Sequence, residues 1–176
     1  MPLVVGGFFL ALLIVLVIVY KVLSAPSGIY GQTVGNNVRC NSGEMLQTHY
    51  HAHLTILYKG APVNVPAQIG IPAGCFYFLH THDSSGVIHI EAPASDTNKQ
   101  FTLGDFFDVW GQPLSSDQVA TLPKLGKDDQ LKIWVDGQPY TGDPRKIVLK
   151  PHGQVVLEIG PPYTDPPPTY TFDPSL

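Results

Sequence analysis

The sequence predicts a mainly β protein of the α+β class. One N-terminal transmembrane helix would precede a compact β-sandwich-like domain with one or two short helices and a Pro-rich C-terminal arm. Three observations support this prediction. An uncharged apolar run opens the chain, short apolar segments with strand-like alternation follow it, and frequent glycine and proline, 17 of each, separate those segments.

The apolar run covers residues 3–20, LVVGGFFLALLIVLVIVY, and is long enough to span most of a bilayer as a helix, with Lys21 reaching the interface. A cleaved signal peptide is the alternative. No basic residue precedes the run, however, and the run is long for a signal peptide. We therefore predict a transmembrane anchor over residues 1–24 and a linker over residues 25–39.

The two cysteines, Cys40 and Cys75, indicate the cellular compartment of the domain. An even count behind a membrane-targeting segment favours a disulfide and an oxidising environment, and closing this loop would stabilise the domain by roughly 3–4 kcal/mol. The alternatives are two buried free thiols or, less favoured without a Cys-x-x-Cys pattern, zinc ligands. We therefore predict a single-pass protein of the bacterial inner membrane with its domain on the periplasmic side.

The β-rich domain is predicted over residues 40–160 and begins with strands. A strand over about 49–58 ends at a Lys59-Gly60 turn, and a hairpin covers about 76–91. Later strands are expected at 132–135, 147–149 and 154–159, and the Asp136-Gly137 pair predicts a hairpin turn after the first of these.

Helical signals fall between these strands. Thr102 and Asp105 have the spacing of an N-cap and its third helical residue, and the helix would run to Trp110 and end at Gly111. A second short helix is expected from Ser116. The final segment, 161–176, is too rich in proline for a helix and predicts an extended arm, packed on its own domain or along a partner.

The histidines carry the functional signal. Six of the seven lie between residues 49 and 89, and most are spaced by two, the period that places side chains on one face of a strand. Neutral imidazoles bind zinc and copper, and a carboxylate can complete or orient such a site. The candidate metal ligands are His49, His51, His53, His80, His82, His89 and Glu91, with Asp83 as another possible carboxylate.

The register of the predicted hairpin tests this pattern. A two-residue loop at Ser84-Ser85 places His80 opposite His89 and Leu79 opposite Ile90, which separates a His/Glu face from an apolar face. If the 49–58 strand is a neighbour, histidines from three strands converge. One transition-metal ion, copper or zinc, is the predicted cofactor. The alternative is a hydrogen-bonded polar layer or a face covered by another subunit.

Four segments carry a resemblance to known proteins. They are His51-Ala52-His53-Leu54, Leu79-His80-Thr81-His82-Asp83, Gly86-Val87-Ile88-His89-Ile90-Glu91 and Thr102-Leu103-Gly104-Asp105-Phe106-Phe107. With them the chain resembles uncharacterised bacterial membrane-anchored extracytoplasmic proteins, over most of residues 40–160, a group without an established activity. The layout is also similar to that of a small accessory subunit of a photosynthetic reaction-centre and antenna complex.

These features predict a non-enzymatic accessory subunit of a larger membrane complex. Its partners would be the lipid bilayer and other subunits, contacted through the anchor, the β-domain and the arm. The net charge of −4, without a basic stripe, gives nucleic-acid binding no electrostatic support. No catalytic residue is predicted, since Ser84 and Ser85 beside His82 do not form a triad. A stand-alone periplasmic copper- or zinc-binding protein and a metal-dependent enzyme are the alternatives.

Overall fold

Two β-sheets and one short α-helix form the part of the chain that the computed structural model describes, residues 33–35 and 38–176. The helix α1 covers Leu103–Trp110, and short 3-10 turns lie at Ala94–Asp96 and Pro144–Lys146. The strands are β1 Thr33–Val34, β2 Val38–Asn41, β3 Thr48–Tyr58, β4 Ala61–Val63, β5 Phe76–Tyr77, β6 Leu79–His80, β7 Val87–Ala92, β8 Gln130–Val135, β9 Gln138–Tyr140 and β10 Gln154–Gly160.

The larger sheet has the order β6-β7-β3-β10-β8-β9, with β4 paired to the end of β3. The long strand β3 is central, antiparallel to β7 and parallel to β10. The smaller sheet has the order β1-β2-β5. The mainly β architecture was predicted, and a β-sandwich-like arrangement fits it.

The predicted hairpin register is confirmed by the pairing of β6 with β7. Leu79 lies opposite Ile90 and His80 lies opposite His89. Leu79, Ile88 and Ile90 are fully buried, so the apolar face of the hairpin joins the hydrophobic core. The opposite face is left for the histidines, because successive side chains alternate across a strand.

The core explains why α1 lies where it does. Phe106 and Phe107 are fully buried and pack with the apolar faces of the strands. Thr102 and Asp105 form a complete capping box, in which each side chain accepts a hydrogen bond from the other's backbone N–H, and Gly111 ends the helix in the left-handed conformation. Both helix boundaries were predicted from these residues.

The transmembrane helix predicted over residues 1–24 lies outside the described residues. Within the described ranges, no helix is both long and apolar enough to cross a membrane. The predicted fold class is therefore corrected for the described residues, which form a mainly β domain with one short helix and include no spanning helix. The predicted single-pass location in the bacterial inner membrane is corrected with it, because the part of the chain that the structure describes includes no helix for that role.

Three local elements also differ from the sequence-based prediction. A turn replaces the helix expected from Ser116: Ser115 and Asp117 hydrogen-bond each other's side chains, and Leu114 bridges to Val119. The segment 147–149 makes a single bridge, between Val148 and Thr102, instead of a strand. The described part of the predicted linker 25–39 contributes to β1 and β2.

The disulfide between Cys40 and Cys75 is present, as predicted, with a Cα–Cα distance of 5.5 Å. It links β2 to the segment just before β5, and the two strands pair with Cys40 opposite Tyr77. The crosslink therefore fixes the chain four residues before β6, the strand that carries His80.

The arm over residues 161–176 packs on its own domain. Gln154 on β10 donates to the carbonyl of Tyr170 at 2.9 Å and accepts from its N–H at 2.7 Å. Thr164 donates its N–H to the buried carboxylate of Glu158, and Lys132 Nζ lies 3.8 Å from the ring centre of Tyr163. The sequence left open whether this arm contacts its own domain, and these contacts show that it does.

Candidate metal centre

Three neighbouring strands bring the histidines to one face of the larger sheet. His51 on β3 lies opposite His89 on β7, and His89 lies opposite His80 on β6. His49 lies opposite Glu91 in the same ladder. Residues opposite each other on adjacent strands project to the same side, so the predicted convergence of three strands is observed.

The first group of possible ligands contains His80, His82, His89 and Glu91. One ligand atom from each of these residues lies within 4.8 Å of the others. Glu91 Oε1 is 3.5 Å from His89 Nδ1 and 4.0 Å from His80 Nε2. Three imidazoles and a carboxylate are a donor set that suits zinc or copper.

His80 is held as a ligand would be. Its side chain is 0% exposed, and its Nδ1 lies 2.9 Å from the carbonyl oxygen of Tyr77. Because a carbonyl only accepts, Nδ1 carries the proton and Nε2 keeps its lone pair. Nε2 is buried without a hydrogen-bond partner among the described residues. Burial lowers the pKa of His80 to about 4, so the ring is neutral at pH 7.

Glu91 supplies the negative charge of this group and is 4% exposed. Burial acts to raise its pKa, but the hydrogen bond with His89 and the electrostatic interactions with His80 and His49 outweigh burial, and the pKa is lowered. The carboxylate is therefore ionised at pH 7. Its Oε2 atom is buried without a hydrogen-bond partner among the described residues.

The second group contains His49, His51 and His89, whose ligand atoms also lie within 4.8 Å of one another. His51 Nε2 is 3.1 Å from His89 Nδ1, and His49 Nε2 is 3.4 Å from Glu91 Oε1. Burial, followed by the neighbouring His89 and His49, lowers the pKa of His51 to about 4. His89 belongs to both groups and joins them.

Two of the predicted ligands do not lie inside such a group. His53 bonds through Nε2 to the Ser85 carbonyl at 2.8 Å, and its ring stacks on Tyr170 at a centroid distance of 3.8 Å. Asp83 accepts a hydrogen bond from Ser85 N at 2.8 Å and so stabilises the hairpin loop. His53 and Asp83 therefore stabilise the hairpin loop and the arm beside the two groups of histidines.

The backbone around His80 depends on Gly70, which has a φ of +74°. A Cβ atom there would lie 2.5 Å from the Leu79 carbonyl oxygen and 3.1 Å from His80 Cβ. Glycine therefore lets segment 68–71 lie against β6, where Thr81 N donates to Ile69 O and Tyr77 N donates to Gly70 O. This segment therefore packs directly against the backbone that carries His80.

Sequence reasoning missed three residues that contact the histidines. Tyr77 acts through its backbone carbonyl, which no side-chain pattern can reveal. Glu44 Oε1 lies 3.4 Å from Nε2 of His82, whose side chain is 41% exposed. Tyr170 comes from the arm, and only its alternation with Phe172 hinted that the arm would bring aromatic rings to the sheet.

Comparisons with known proteins identify no relative, so the functional assignment rests on the geometry of the site. No protein-family model, no curated protein and no solved structure matches the chain. The resemblance to membrane-anchored His-rich proteins, the link to a photosynthetic complex, the role as an accessory subunit and the absence of enzymatic activity all stay predictions.

Proposed function

We propose that this protein binds a transition-metal ion, zinc or copper, through His80, His82, His89 and Glu91. The observation that carries the proposal is the pair of buried, unpartnered atoms His80 Nε2 and Glu91 Oε2 in one group of ligands. A buried polar atom without a partner costs about 1–3 kcal/mol. A bound cation would compensate both atoms, one through a lone pair and one through its charge.

The protonation of the group supports the same proposal. A metal ligand must be unprotonated, and competition with protons weakens metal binding. His80, with a pKa of about 4, and Glu91, with a lowered pKa, need not lose a proton at pH 7. The carbonyl of Tyr77 also orients the imidazole as partners of metal-ligating histidines do.

The arrangement favours binding over catalysis at this first position. Four protein groups fill a tetrahedral shell, whereas catalytic zinc sites keep one position for water. His80 and Glu91 form the buried side of the first group. His82 forms its exposed side, and an ion enters from there.

Competition titration of the metal-stripped full chain tests this proposal. Zn²⁺ or Cu²⁺ is titrated into the protein against a coloured chelator. We expect His80→Asn, which keeps a donor for the Tyr77 carbonyl, and Glu91→Gln to weaken binding at least about tenfold, as even the loss of a second-shell partner does. Elemental analysis of protein purified without added metal then identifies the ion.

Two variants serve as matched controls. His152→Gln changes the histidine that stacks on Phe172, outside both groups, and Glu158→Gln changes another buried glutamate of the sheet. Both should bind metal as the wild type does. Wild-type protein that retains no ion after desalting, or His80→Asn that binds as tightly as the wild type, would overturn the proposal.

A further inference from the structure

We propose that the protein holds a second transition-metal ion at His49, His51 and His89, adjacent to the first ion and sharing the imidazole of His89 with it. This inference rests on the proposed function, because the first group must be occupied for His89 to be shared. The two groups have His89 in common, and each brings its ligand atoms within 4.8 Å of one another.

The metal-free geometry is already close to that of a ligand shell. Two nitrogens bound to one tetrahedral ion at Zn–N distances of 2.0–2.1 Å lie about 3.3 Å apart. His51 Nε2 and His89 Nδ1 are 3.1 Å apart. His51 is 5% exposed and has a pKa of about 4, so its ring is neutral at pH 7. An ion would replace the hydrogen bond between the two rings with small side-chain movements.

Sharing His89 requires both of its ring nitrogens. In the metal-free protein Nδ1 lies 3.1 Å from His51 Nε2 and 3.5 Å from Glu91 Oε1, so an ion in the second group would take Nδ1 and the first ion would bind Nε2. A neutral imidazole carries one ring proton, so binding both ions releases that proton to solvent and leaves an imidazolate between them. The imidazolate and the Glu91 carboxylate, with Oε1 3.5 Å from His89 Nδ1, offset the repulsion between the two cations.

The second position differs from the first in its number of protein ligands. It has three protein ligands, and the side chain of His49 is 43% exposed. Zinc sites with three protein ligands keep a fourth position for water or another exchangeable ligand. The geometry thus pairs an ion held by four protein groups with a second ion that can exchange a ligand.

Metal stoichiometry tests the inference. After Cu²⁺ loading and desalting, we expect two ions per wild-type chain and two per His152→Gln chain. His49→Gln and His51→Gln should each retain one ion, and His89→Gln should lose the second and bind the first more weakly. His49 lies at the surface, so its variant does not threaten folding, and thermal unfolding monitors the His51 variant.

Electron paramagnetic resonance separates a shared imidazole from two independent sites. Two Cu²⁺ ions joined through His89 should couple and lose signal, whereas His49→Gln should show one ordinary copper spectrum. One ion in the wild type, unchanged by His49→Gln and His51→Gln, would overturn the second position and leave the proposed function standing. Two uncoupled ions would overturn the sharing of His89, and a wild type without metal would overturn both proposals.

Discussion

At the scale of single residues, the site depends on the difference between its two kinds of histidine. His80 and His51 are buried and have pKa values of about 4, whereas His49 and His82 reach solvent. Spacing by two places His49 with His51 and His80 with His82, but it does not show which of them are buried. Burial follows from the neighbouring segment at Gly70 and from the strand order, which are properties of the folded chain.

The lowered pKa of His80 predicts how the stability of the metal-free protein depends on pH. Its folded-state pKa of about 4 lies below the unfolded value of 6.5, so the unfolded chain binds more protons between these values. The stabilising contribution is therefore complete above about pH 6.5 and is lost as the pH falls towards 4. Between pH 7 and pH 5 we expect His80 alone to lower the free energy of unfolding by about 2 kcal/mol.

Denaturant unfolding in EDTA at pH 7, 6 and 5 measures this effect. In His80→Asn the decrease should be smaller than in the wild type by about the same 2 kcal/mol. The comparison uses the slope with pH, so any overall destabilisation by the substitution does not affect it. Equal slopes in the two proteins would show that His80 titrates normally in the folded state.

At the scale of secondary structure, the elements with strong local signals were predicted and those set by distant contacts were not. Alternation identified β3 and the β6–β7 register, and the Thr102 capping box with Gly111 identified α1. The turn at Ser115–Asp117 was missed because side-chain hydrogen bonds to nearby residues compete with a helix there. The parallel pairing of β3 with β10 joins segments about a hundred residues apart, and no local pattern encodes it.

The crosslink between β2 and the segment just before β5 predicts that the disulfide affects the metal site. Cys75 precedes Tyr77 by two residues, and Cys40 pairs with Tyr77, whose carbonyl holds His80. We expect the double variant Cys40→Ser, Cys75→Ser to lose roughly 3–4 kcal/mol of stability, from the entropy of the opened loop. It should also bind Zn²⁺ more weakly, because the imidazole of His80 is less firmly oriented.

The serine variant is preferable to chemical reduction, since free thiols would themselves bind the metal. Unfolding midpoints give the stability, and chelator competition gives the affinity under conditions in which the variant is fully folded. Reduced stability with unchanged affinity would mean that the larger sheet alone orients His80.

At the scale of the whole molecule, the arm over 161–176 covers the sheet beside the histidines without contributing to either ligand group. Tyr170 stacks on His53, and Phe172 stacks on His152 at a centroid distance of 4.6 Å. The proline content predicted that the arm is extended. Which surface the arm covers depends on Gln154, His53 and His152, which lie side by side only in the folded protein. The domain is thus closed on one side by its own arm, while His49 and His82 remain exposed.

Removing the arm should lower the stability of the protein and leave its metal affinity almost unchanged. A chain ending at Gly160 loses the two hydrogen bonds of Gln154, the Thr164 contact to Glu158 and the ring stacking on His53. We expect its free energy of unfolding to fall by about 2–4 kcal/mol, at about 1 kcal/mol for each such contact. Its Zn²⁺ affinity should stay within about twofold of the wild type, since stacking and hydrogen bonds of this arm involve no member of either ligand group. Tyr170→Ala, which removes only the stacking, should show a smaller loss of stability. A marked loss of affinity in the truncated chain would instead make the arm part of the metal site.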